Sequence, residues 1–196
     1  MAYDHTEVPP QREELIPPGT VAPVVLKIRA GGAGEGGLLK RSKNGDCEML
    51  DLEFTVVNGP HVKRKFWENL ILAGSNDGHA QASEISRRTL RAIIESARGI
   101  KPLDLSPQAR QARTADLKDF DGLIFMARIG AEKGKPKNNG SGETWSDKNI
   151  LAAVITPDRP DWHPVEQPKP FNGGGGGSGG PTPPSSTPIA RPPWAS

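Results

Sequence analysis

Between Gly59 and Leu72 the chain reads GPHVKRKFWENLIL, and five neighbouring residues in it could do chemistry together. Lys63, Arg64 and Lys65 are cations, while Phe66 and Trp67 are flat rings. This is the pairing by which proteins neutralise phosphates and stack on bases. In a strand, side chains alternate between faces, so Lys63, Lys65 and Trp67 share one and Arg64, Phe66 and Glu68 the other. If the first face meets the ligand, Trp67 is a stacking platform and Phe66 points into the core. An ordinary half-buried strand with one solvated side has the same pattern, so the rest of the chain must decide.

Two further segments carry the same chemistry. GGAGEGGLLKRSKNG, residues 31–45, holds Lys40, Arg41 and Lys43 among glycines, and AEKGKPKNNGSGET, residues 131–144, holds Lys133, Lys135 and Lys137. Glycine lets a backbone move around a ligand, and lysines supply salt-sensitive phosphate contacts. Trp145 and Lys148 stand at the mouth of the second segment, and Lys27 and Arg29 on an early strand. Together these thirteen cations and rings are the candidate DNA contacts, the alternative being two solvated hairpin loops.

Catalysis finds little support. His5, His61, His79 and His163 fall in an arm, a turn, a loop and a tail, with no metal-ligand spacing among them. The single cysteine, Cys47, excludes an internal disulfide and any multi-cysteine zinc site. GAGEGG at 32–37 opens no helix, unlike a nucleotide-binding glycine loop. Asp51 and Glu53 share a strand face, but nothing near them in sequence suggests metal-dependent nuclease chemistry. No enzyme activity, metal or cofactor is expected.

Periodicity places these residues on elements. Residues 20–30 alternate, with Val24, Leu26 and Ile28 on one face and Lys27 and Arg29 on the other. Residues 46–58 put Leu50, Leu52, Phe54 and Val56 inward and Met49, Asp51, Glu53 and Thr55 outward. Asn58-Gly59-Pro60 predicts a tight hairpin into the third strand. A helix is expected over 83–98, N-capped by Ser83 and stopped by Gly99, with Leu90, Ile93, Ile94 and Ala97 on its apolar stripe and Arg87, Arg88 and Arg91 away from it. A linker with a short helix near 107–115 leads to strands at 122–130 and 145–156. Three strands, a helix and two strands is the element order of the OB-fold, a five-stranded Greek-key barrel, whose loops 1–2 and 4–5 frame a ligand cleft. Those are the two glycine- and lysine-rich segments.

Composition sets the limits. Glycine and proline total 43 of 196 residues, an excess no packed core accommodates. It concentrates in 157–196, with 11 prolines and 7 glycines in 40 residues, so a disordered tail is expected over 158–196. Residues 1–19 form an acidic, proline-rich arm, which leaves 20–157 as the domain. The whole chain carries +2; the arm is −3 (Asp4, Glu7, Glu13 and Glu14 against Arg12) and the tail neutral, so the central part carries +5. That modest excess makes the placement of charge matter more than its total. Neither a run of about 20 apolar residues nor a signal-peptide pattern is present, which favours a cytoplasmic protein with no membrane partner.

The segments LIPPGTVAPVVLKIRAG, LKRSKNGDCEMLDLEFTVVNGPHVKRKFWENLIL, SEISRRTLRAIIESARG and WSDKNILAAVITP resemble a phage-associated family long catalogued as a domain of unknown function. Its members are viewed as OB-fold single-stranded-DNA-binding proteins of phage replication and recombination. The resemblance covers roughly residues 15–157 and is a distributed pattern, including the VVNGP hairpin, RKFWEN and Asn149 on the last strand. It implies sequence-independent binding and protection of single-stranded DNA in a phage-infected or prophage-bearing bacterial host. It leaves a homo-oligomer open. A domain followed by a glycine- and proline-rich tail is also similar to bacterial single-stranded-DNA-binding proteins, whose acidic, aromatic tips recruit replication or recombination proteins. Here ARPPWAS keeps Trp194 but has no acid in the last 30 residues. The competing reading is an OB-like adaptor that recruits such proteins without itself binding DNA.

Overall fold

A computed structural model describes residues 14–137 and 142–167. Its strands are β1 (Val21–Ile28), β2 (Lys40–Arg41), β3 (Cys47–Val56), β4 (Lys65–Gly74), β5 (Ile124–Glu132) and β6 (Lys148–Ile155). Helix α1 (Asp77–Arg98) separates β4 from α2 (Pro107–Ala112) and β5. Every pairing is antiparallel: β3 joins β1 to β4, and β5 joins β1 to β6. The two-residue β2, unexpected from the sequence, pairs with β3 at Met49 and Glu48. Since β4 occupies one edge of β3 there, β2 takes the other, beyond the end of β1.

Alternation builds the core as the pattern predicts. Ala22, Val24, Leu26 and Ile28 of β1 and Leu50, Leu52, Phe54 and Val56 of β3 are buried, and Phe54 meets Phe66 and Phe125 at centroid distances of 5.1 and 5.8 Å. The sheet is nonetheless open. β4 and β6 are its ends and form no ladder with each other among the described residues, so six strands in an open antiparallel sheet stand where five in a closed barrel were expected.

Four local expectations change. α1 begins six residues before Ser83: Asn76 is its N-cap, and its side-chain oxygen accepts the His79 N–H at 2.8 Å. Asn76-Asp77-Gly78 looks like a turn because glycine disfavours helix, yet the cap and the packing behind it prevail. Ser83 instead donates to the Leu72 carbonyl at 2.6 Å, near the bulge where β3 and β4 lose register. Gly99 does stop the helix, in the left-handed conformation with φ 68°. The β3–β4 connection is not a tight two-residue turn either, since β4 starts only at Lys65 and Lys63 adopts φ 68° outside it. Strand alternation therefore does not fix the face of Lys63.

The domain outgrows its expected limits at both ends. Ile16, within the supposed arm, is fully buried, its N–H and carbonyl both bonded to the Asn149 side chain. Residues 158–167, expected in the tail, return over α1 and β5. Trp162 Nε1 donates to the Ser96 carbonyl at 3.1 Å, while Gln167 donates to the carbonyls of Ala97 and Ile124 and accepts the Ile124 N–H. A segment poor in apolar residues can still dock when its amide side chain satisfies the exposed backbone of a strand end. The arm before Glu14, residues 138–141 and the tail after Gln167, Trp194 included, lie outside the described residues. Among the described residues no helix is long and apolar enough to cross a membrane.

A chain ending at Pro157 should be less stable than one ending at Gln167 by at most about 2–6 kcal/mol, from four hydrogen bonds at roughly 0.5–1.5 kcal/mol each, offset in part by the conformational entropy of ordering the docked segment. Urea titration of the two chains measures this, and equal midpoints would show that the docked segment contributes nothing.

Candidate nucleic-acid interface

The pairing of β1, β3 and β4 fixes the outward face. Glu53 lies between Lys27 and Trp67, Thr55 beside Lys65, and Asp51 beside Asn69. The register shift between β3 and β4 falls at Glu48 and Met49, so the alternation around Phe66 and Trp67 is intact. Phe66 is 1 % exposed and Trp67 48 % exposed. The assignment of one ring to the core and the other to the surface matches the strand period.

Carboxylates organise the cations on this face. Glu53 accepts from Lys65 Nζ at 2.7 Å and from Trp67 Nε1 at 3.2 Å, so it orients the indole as well as the lysine. The Lys65 hydrogen bond, aided by that of Trp67, holds the Glu53 carboxyl below the usual glutamate range. Asp51, mostly covered, accepts from Lys40 Nζ at 3.1 Å and approaches Arg29 Nη1 at 3.5 Å. The sequence puts Asp51 and Glu53 outward, as found, but does not show that they sit beneath a fence of lysine and arginine. The lysine and arginine ends stay about half exposed while the two carboxylates beneath them are largely covered, so an incoming phosphate can share these cations without removing them from the acids.

At the open seam, a groove of about 830 Å³ separates the first half of β4 from the start of β6. Lys63, Arg64, Lys65 and Trp67 line one bank, Ser146, Asp147 and Lys148 the other, with Glu68 and Leu15 also in the lining. Four cations and two carboxylates thus surround the half-exposed Trp67 ring, with the edge of the buried Phe66 behind it. Alternation puts Arg64 on the opposite face, outside the candidate contacts; the groove runs along the open edge of β4, where residues of both faces, Arg64 and Glu68 among them, reach its lining. Glu68 carries no sequence signal. Its burial at the seam raises its carboxyl above the usual range, against the pull of Lys148 and the Leu151 amide.

The loop cations are placed differently. Lys40 and Arg41 belong to β2, and Arg41 pairs with Glu48 at 2.8 Å. Lys43 is exposed, and neither it nor Lys27 or Lys63 forms a salt bridge among the described residues. In the β5–β6 connection Lys133 pairs with Asp147, Lys135 with Glu132, and Lys137 with Glu143, while Lys148 reaches Glu132 at 3.1 Å. Lys137 Nζ also sits 5.2 Å from the Trp145 ring centroid. Of the thirteen candidates, the groove gathers Lys63, Lys65, Trp67 and Lys148; Lys27, Arg29 and Lys40 lie on the adjoining sheet face. Arg41, Lys43, Lys133, Lys135, Lys137 and Trp145 are not in the groove lining.

Comparison with protein-family models, curated proteins and solved structures finds no match for this chain.

Two substitutions separate the core from the surface. Phe66→Ala should cost about 3–5 kcal/mol of stability, as for other buried phenylalanines, whereas Trp67→Ala should leave the melting temperature nearly unchanged. An early-melting Trp67→Ala would reverse the assignment. Glu68 gives a pH signature. Below the ordinary glutamate range it is protonated folded and unfolded and costs nothing; as pH rises, the unfolded state ionises first and the folded state is penalised. Glu68→Gln should therefore gain stability relative to the parent as pH rises through and above the ordinary glutamate range. A pH-independent difference in urea midpoints would contradict the burial of this carboxyl.

Proposed function

We propose that the protein binds single-stranded DNA without sequence preference, in phage-type replication or recombination, along the groove between β4 and β6. The observation that carries the reading is that groove: an open channel at the seam of the sheet, with Lys63, Arg64, Lys65 and Lys148 on its banks and the half-exposed Trp67 at its side. A channel that follows a backbone with cations and offers a ring to successive bases is the general design of sequence-independent strand binding. Stacking tolerates every base because each has a π-face, and the cations read only phosphate.

The order of the long strands supports an OB-like architecture. β4-β3-β1-β5-β6 is the circular order of a five-stranded Greek-key barrel cut between its third and fifth strands. In this reading the cut is the strand entrance, and Lys27, Arg29 and Lys40 extend the path across the outer face. The phage context rests on the resemblance of residues 15–157 to the phage-associated family.

A fluorescent oligonucleotide titrated at several salt concentrations tests this. Affinity should fall with salt, and Lys65→Ala with Lys148→Ala should lower the log–log slope by ~0.7 for each phosphate no longer neutralised. Trp67→Ala should lose about 1–3 kcal/mol of affinity per stacked base. Duplex should compete poorly. Equal competition by duplex refutes strand selectivity, and the absence of salt-sensitive binding favours the adaptor reading.

A further inference from the structure

At the far end of β3, three unlike donor groups converge. Asp46, Cys47 and His79 each place a potential ligand atom within 4.8 Å of the others. His79 is more than thirty residues from the other two in sequence, and the three come from the turn before β3, its first residue and the first turn of α1. No sequence spacing announces them, which is why His79 looks like an isolated loop histidine and Cys47 like an ordinary buried thiol.

The fold is arranged around this meeting point. Cys47 pairs directly with Gly74 across β3 and β4, so their side-chain positions share one face. Gly74 has no side chain, and a Cβ there would overlap His79 Cβ, Cγ and Nδ1. The imidazole therefore occupies the place vacated beside the thiol. The Asn76 cap holds the His79 backbone by its N–H. Ser42 donates its hydroxyl to Asp46 Oδ1 at 2.5 Å and accepts the N–H groups of Asp46 and Cys47, which fixes both the carboxylate and the start of the strand.

One atom in the cluster is left over. His79 Nδ1 is buried and has no hydrogen-bond partner among the described residues. Buried polar atoms are almost always paired, and an unpaired one calls for an unseen ion or water. A water would serve one nitrogen; it would not explain a thiol and a carboxylate converging on the same point.

We propose that Asp46, Cys47 and His79 bind one zinc ion, which fastens the first turn of α1 to the start of β3. The donor set of one thiolate, one imidazole and one carboxylate suits zinc, and excludes magnesium and calcium, which take oxygen ligands. Three protein donors leave the fourth tetrahedral position to water. The charges balance, since a thiolate and a carboxylate together neutralise the dication. Binding replaces the thiol proton, which leaves to solvent. Ser42 serves as the outer partner that orients the Asp46 ligand.

Titration of the full-length, chelator-treated protein with Co²⁺, a spectroscopic stand-in for zinc, tests the site. One equivalent should bind with a thiolate-to-cobalt charge-transfer band and tetrahedral d–d absorption, and zinc should displace it stoichiometrically. Zinc should also raise the melting temperature. Cys47→Ser should abolish the charge-transfer band. His79→Gln and Asp46→Asn should weaken binding by more than the roughly 10–100-fold that loss of an outer partner costs. Replacement of His5, His61 and His163 together by Gln should change none of this. If Cys47→Ser fails to fold, His79→Gln, whose side chain lies partly at the surface, decides. Octahedral absorption without a charge-transfer band, or equal affinity in His79→Gln and the parent, overturns the site.

Discussion

The Asn149 carboxamide makes three buried hydrogen bonds, and the shape of the seam depends on them. Its oxygen accepts the Ile16 N–H at 2.9 Å, and its nitrogen donates to the carbonyls of Ile16 at 2.8 Å and Gly130 at 3.0 Å. One side chain thus satisfies both backbone groups of a residue 133 positions earlier and ties it to β5 and β6. Without it, a buried N–H and a buried carbonyl would be left unmet, each at a cost of about 1–3 kcal/mol. The arrangement also brings Leu15 and Asn149 to the groove, so the segment that completes the core borders the channel.

This anchoring explains how an open sheet can persist. Among the described residues, strands β4 and β6 leave unpaired edges, which in water invite pairing with another chain. Here the gap between them is bordered by Lys63, Arg64, Lys65 and Lys148, and by the partly buried Glu68, so that the edge is charged rather than apolar. The same charges that discourage edge-to-edge association give the proposed DNA path its attraction for phosphate.

On the sheet face, the arrangement of charge matters more than its sum. Asp51 and Glu53 hold Arg29, Lys40, Lys65 and the Trp67 indole in place, so that fewer rotamers have to be frozen when a ligand arrives. The acids reduce the net field and increase its order. Away from the sheet, Glu95 does comparable work as a buried carboxylate bonded to Arg91 and Arg113. Arg113 in turn donates to the carbonyls of Lys101, Pro102 and Asp104, which holds the linker against α1.

Local pattern alone determined the inward residues of β1 and β3, the apolar stripe of α1, the Gly99 stop, and the opposite orientation of Phe66 and Trp67. Each follows from a period of two or 3.6 residues, or from the left-handed freedom of glycine, and a short window of sequence carries that information. Tertiary structure decided everything that depends on residues far apart. Packing extended α1 back to Asp77, Asn149 drew Ile16 into the core, and Gln167 docked a segment whose composition reads as tail. The open seam, the carboxylates under the cations and the meeting of Asp46 and Cys47 with His79 have the same origin. Which side chains come together across strands and helices is set by pairing register and loop closure, and neither is written in any local stretch of residues.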